Sequence, residues 1–70
     1  MRYREVAKRL RKLGCEYVRA GAGSHRIWWN PRNNRFTTIP DWGPKDIRPG
    51  TLRRILRDLD IGRSEFGPIK

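Results

Sequence analysis

Apolar residues recur along this chain with two different periods. Tyr3, Val6, Leu10 and Leu13 fall three and four apart, which lines one face of a helix and predicts α-structure over residues 3–13. Glu5 and Arg9, four apart, can pair on its wet face. Gly14 then ends it, at a position where glycine readily takes positive φ. Leu52, Ile55, Leu56 and Leu59 repeat the helical spacing and predict a second helix over residues 49–59. Pro49 suits its first turn, where a missing N–H costs little. Between the helices the period falls to two, and residues 15–19, 24–29 and 35–39 read as strands. Ala20-Gly21-Ala22-Gly23 turns between the first two, and Asn30-Pro31-Arg32-Asn33-Asn34 between the last two. Ser64-Glu65-Phe66 predicts one short helical turn, with Phe66 closing the bottom of the core, and residues 67–70 read as a frayed tail.

Alternation leaves some faces open. In the first strand Cys15, Tyr17 and Arg19 oppose Glu16 and Val18, and either set can turn inward. In the second, His25, Ile27 and Trp29 share one face and Ser24, Arg26 and Trp28 the other, so each face carries an aromatic ring. With Ile27 turned to the core, His25 would stand at the end of the sheet, where the core opens to solvent. In the third strand Thr37 and Ile39 oppose Phe36 and Thr38. Three neighbouring strands most simply form an antiparallel meander, and one sheet face can receive both helical stripes. The expectation is an α+β two-layer sandwich of order α-β-β-β-α, resembling the double-stranded-RNA-binding fold. Such a fold does not by itself settle function.

Seventy residues allow one small domain with a modest core, so a shallow groove or shared interface suits this chain better than an enclosed cofactor pocket. Seventeen Lys and Arg against seven Asp and Glu give a formal net charge of +10, which favours a polyanionic partner. Nucleic acid is the simplest such partner and an acidic protein the next. Cys15 is the single cysteine, which excludes an internal disulfide and a multi-cysteine metal site and suits a small core hydrophobe. The start of the chain lacks the apolar run of a signal peptide and no segment reaches transmembrane length, so a cytoplasmic protein without a membrane partner is expected. The carboxylates are scattered, and Asp41 and Asp46 read as loop and cap residues, so neither a metal nor another cofactor is expected.

The candidate chemistry centres on His25, the only histidine, entered through Gly23 and Ser24. Imidazole is the side chain best suited to moving a proton near neutral pH. RNA carries a 2′-hydroxyl beside each phosphodiester, so a positioned base or acid can promote its cleavage. Arg19 and Arg26 are candidates to stabilise the extra charge of the phosphorane, although Arg26 points to the opposite strand face from His25. Trp28, Trp29 and Trp42 could stack on unpaired bases, while so small a core needs at least one of them. Trp42 reads equally well as a cover over the core. Gly21-Ala22-Gly23 lacks the Gly-Lys-Ser/Thr ending of a Walker loop. Arg53 and Arg57 extend the basic surface along the second helix.

Gly14-Cys15, Gly23-Ser24-His25, Ile39-Pro40, Gly50-Thr51-Leu52-Arg53-Arg54-Ile55-Leu56-Arg57 and Ser64-Glu65-Phe66, in this order, resemble the HicA (YcfA-like) family of mRNA-cleaving toxins. The resemblance covers nearly the whole chain and implies a single HicA-like domain over residues 1–70. It implies that His25 is catalytic and that Gly23 and Ser24 support it. It also implies an endoribonuclease, metal-independent by the reading above, that acts on single-stranded RNA or mRNA and is blocked by a HicB-like antitoxin. Cys15 stands where members often have phenylalanine, and Trp42 where many carry a second histidine. The same composition also fits a non-catalytic RNA-binding module, or a protein whose basic face meets an acidic partner. His25 after a glycine-rich turn favours the enzyme.

Overall fold

Helix α1 forms over Tyr3–Lys12 in the structure, a computed structural model that describes residues 1–69. Val6, Ala7 and Leu10 are its buried stripe. Its end is a Schellman turn: Gly14, at φ +91, donates its N–H to the Arg11 carbonyl at 3.0 Å, and Cys15 donates to Leu10 at 2.9 Å. Cys15 is thereby delivered into the core, one residue before β1 (Glu16–Ala20) begins. Burial pushes its thiol pKa up; Arg32 pulls the other way and Glu65 adds to the rise.

Strands β1, β2 (His25–Asn30) and β3 (Arg35–Pro40) form an antiparallel meander in that order. Helix α2 (Pro49–Leu59) follows a loop and buries Leu52, Ile55, Leu56 and Leu59. One continuous core joins the stripes of both helices to Trp28 and Ile39 of the sheet. Both helices therefore cover the same sheet face, giving the two-layer α+β sandwich. A short α3 (Arg63–Phe66) closes the far end and buries Phe66.

The tail does not fray as expected. Arg9 donates to the carbonyls of Phe66 at 3.3 Å and Pro68 at 2.6 Å, and its guanidinium lies 5.2 Å from the Phe66 ring centroid. Ile69 packs partly against the core, and Lys70 lies outside the described residues.

The sheet's second strand resolves its ambiguity in favour of Trp28. This ring is fully buried, its Nε1–H donates to the Tyr3 hydroxyl at 3.1 Å, and the Arg11 guanidinium lies 5.2 Å from its centroid. Asn30, on the same face, is also fully buried and donates to the Leu59 carbonyl at 2.9 Å. Ile27 accordingly turns away from the core, so of the two facings the sequence left open, the one with Ile27 and His25 in an inward row is not taken.

Candidate active site

His25 is positioned by backbone before anything else. Gly21 donates its N–H to the His25 carbonyl at 2.9 Å, and His25 donates to Ala22 at 3.1 Å. This closes a tight reversal between β1 and β2. Gly23 lies within it at φ +60, where a Cβ would meet nothing within 4 Å, so glycine is required by conformation and not by space. Asp41 donates its N–H to the Ser24 carbonyl at 2.8 Å, which joins the loop after β3 to the same turn. Gly23 and Ser24 thus shape the site through the main chain.

The strand register defines what surrounds the imidazole. On the face that no helix covers, His25 stands between Gly21 and Pro40, Ile27 between Arg19 and Thr38, and Trp29 between Glu16 and Phe36. A Cβ at Gly21 would touch the His25 Cβ at 3.6 Å and Ile27 Cδ1 at 3.7 Å, so the bare glycine leaves one flank of the histidine open. His25 and Arg19 are both exposed. Opposed residues of an antiparallel pair sit about 5 Å apart and successive rows about 7 Å, which puts Arg19 within a phosphate's reach of the imidazole. A register shift between Tyr17 and Arg19 leaves Val18 unpaired and aims Arg19 onto this face.

Arg26 projects to the other face, opposite buried Ile39. Its guanidinium lies 3.7 Å from the Asp41 carboxylate and donates to the His25 carbonyl at 3.2 Å. It braces the turn and the loop from the helical side instead of facing the open face beside His25.

The three tryptophans separate. Trp28 has no exposed surface and cannot stack on a base, which corrects its place among the RNA contacts. Trp29 lies on the open face, its Nε1–H donating to Asn34 Oδ1 at 3.0 Å. Trp42 is 41% exposed and does not seal the core. With Lys45 it lines a surface hollow of about 380 Å³ in the loop that starts at the His25 turn. Arg53 and Arg57 are exposed on α2, in the helical layer, and are not brought together with His25. Sequence reading missed Phe36 and Lys45. Phe36 carried a usable signal, because it alternates with core residues Thr37 and Ile39 and yet is large and apolar.

Fold and site together define a small α+β domain of the double-stranded-RNA-binding type that presents one imidazole, with an arginine in the next row, on an uncovered sheet face. The family model for the HicA toxin of bacterial toxin–antitoxin systems matches residues 3–61, and the chain belongs to that family. The match runs from the start of α1 past the end of α2 and so contains the whole site. No curated protein and no solved structure matches the chain. Among the described residues no helix is long and apolar enough to cross a membrane.

Proposed function

We propose that this protein is a metal-independent RNA endonuclease, the mRNA-cleaving toxin of a toxin–antitoxin pair, with His25 as its catalytic residue. The observation that carries this is the placement of the one histidine: exposed, on a backbone held by a closed turn, and flanked by Gly21, which carries no side chain beside it. The reaction follows from RNA itself. The 2′-oxygen loses its proton and bonds to phosphorus, the bond from phosphorus to the 5′-oxygen breaks, and that oxygen gains a proton. The products are a 2′,3′-cyclic phosphate and a 5′-hydroxyl. His25 moves one of these protons, and Arg19 offsets the charge that builds on the phosphorane oxygens. Arg26 is a positioning residue that holds the turn. Single-stranded RNA is the substrate, since its 2′-hydroxyls and bases are free to reach a shallow face. A HicB-like antitoxin is the partner that covers this face and silences it.

His25→Ala tests the assignment. It leaves the backbone turn intact, so the folded variant is expected to bind RNA while cleaving about 10²–10⁴-fold more slowly. The wild type is expected to cut equally well with EDTA, and not at all where the 2′-hydroxyl is replaced by hydrogen. Undiminished cleavage by folded His25→Ala would remove His25 from the mechanism. A wild type that binds RNA and never cuts it would favour a binding module.

A further inference from the structure

Two rows along β2 from His25, the open face carries a pair of aromatic rings to which the proposed mechanism assigns no part. Trp29 and Phe36 are directly opposed across β2 and β3. Their ring centroids are 6.2 Å apart and their planes differ by 23°. Phe36 is 53% exposed, the most exposed large apolar side chain among the described residues. The Trp29 ring is held in place by its N–H donated to Asn34 Oδ1, at the turn that links the same two strands. Asn34 takes φ +59 within that turn, a conformation asparagine tolerates.

We infer that Trp29 and Phe36 form a base-stacking platform, on which unpaired nucleobases next to the scissile phosphate lie while that phosphate sits at His25 and Arg19. This rests on the reading of the protein as an endoribonuclease and extends it to how the strand is held. Three features select single-stranded RNA as the occupant. The rings are nearly parallel, so a base parallel to one is nearly parallel to the other, as stacking requires. Cationic Arg19 occupies the row between the platform and His25, matching a phosphate between two bases. The platform is also continuous with the site: His25, Ile27 and Trp29 alternate along one strand, and four residues of β-strand place Trp29 about 13 Å from His25. That distance falls within a short stretch of extended polynucleotide. Stacking tolerates any base, so the platform positions the strand without reading its sequence.

Phe36 is the better probe, because its exposure lets it be changed at little cost to the core. The measurement is the affinity of purified protein for a short single-stranded RNA made uncleavable by 2′-deoxy substitution at the cut site. Phe36→Leu keeps an apolar side chain and removes the π-face. It is expected to weaken binding about 5- to 100-fold, and Phe36→Tyr to restore it. An oligonucleotide abasic at the platform position should bind wild type and Phe36→Leu alike. Equal affinity of Phe36→Leu and wild type for the intact oligonucleotide would overturn the platform. So would a loss confined to antitoxin binding or self-association, which would mark this face as a protein interface. Binding to an uncleavable strand is independent of His25 chemistry. Failure of the platform therefore leaves cleavage by wild type and its loss in His25→Ala intact, whereas failure of the endonuclease reading appears in those two assays alone.

Discussion

Cys15 shows how much a single position depends on what surrounds it. It is buried between the end of α1 and the start of β1, and burial raises its thiol pKa. The thiolate is the reactive form, so a raised pKa and lack of access both suppress reactivity. In native protein near neutral pH, Cys15 is expected to resist a thiol-specific reagent and to react fully once denatured. The linkage has a definite sign. Unfolded chain loses the thiol proton at lower pH than folded chain, so this group withdraws stability as pH rises through the ordinary thiol range. Rapid stoichiometric labelling of folded protein would contradict the burial. The burial itself was legible, since one cysteine after a helix-ending glycine suits a core position. Which tryptophan belongs to the core was not. Trp28 and Trp29 are adjacent, equally apolar and on opposite faces, and strand periodicity treats them alike. The inward ring meets residues distant in sequence, with Tyr3 taking the Trp28 N–H, whereas Trp29 bonds Asn34 in the adjoining turn. Strand alternation then puts His25 and Ile27 on the outward face with Trp29.

At the scale of elements, both long helices end in the same way with different residues. α1 uses Gly14 at φ +91, and α2 uses Asp60 at φ +53. Asp60 donates its N–H to Arg57 at 3.1 Å and Ile61 donates to Leu56 at 2.9 Å, repeating the pattern at Gly14 and Cys15. Two asparagines add to this end, Asn30 from the last position of β2 and Asn33 from the turn after it, donating to the Leu59 carbonyl at 2.9 and 3.0 Å. Aspartate carries a left-handed penalty that glycine lacks, and its negative charge lies at the negative end of the helix dipole. Asp60→Gly is therefore expected to raise stability by about 0.5–1 kcal/mol, the unfolded-state entropy of glycine cancelling part of the gain. Thermal or urea unfolding against wild type would measure it, and a lower midpoint would mean that Asp60 makes a stabilising contact of its own. The helices were legible because their apolar stripes are long and regular. Strand limits differed from expectation by a residue at Cys15, Ser24, Asn30, Ala20 and Pro40, where turn geometry and not side-chain pattern fixes the end. The tail was misread because its anchor, Arg9, lies far away on α1, where the spacing shows only its local partner Glu5.

Charge acts at the scale of the whole molecule. Glu5, Asp41, Asp58 and Glu65 each pair with an arginine, which leaves much of the positive excess without an acidic partner. Arg54 is also committed to structure: it meets Asp58 at 2.9 Å and donates to the Thr38 carbonyl at 3.0 Å, covering part of the β3 edge. With a net charge of +10, RNA binding is expected to weaken steeply with salt, because each phosphate neutralised on a single strand adds about 0.7 to the magnitude of the log–log slope. The slope can also locate the strand. Arg19 is in the row next to His25, so Arg19→Ala should lower the slope by about 0.7, equally for RNAs of different sequence. Arg53 and Arg57 lie in the helical layer on the other side of the sheet. If they too hold phosphate, Arg53→Ala and Arg57→Ala will each remove a similar increment, and the strand must wrap from the open face onto α2. If they serve the antitoxin instead, the RNA slope will stay at the wild-type value while antitoxin affinity falls. A flat salt dependence in the wild type would defeat the electrostatic account altogether, and would leave the stacked pair at Trp29 and Phe36 as the main source of affinity.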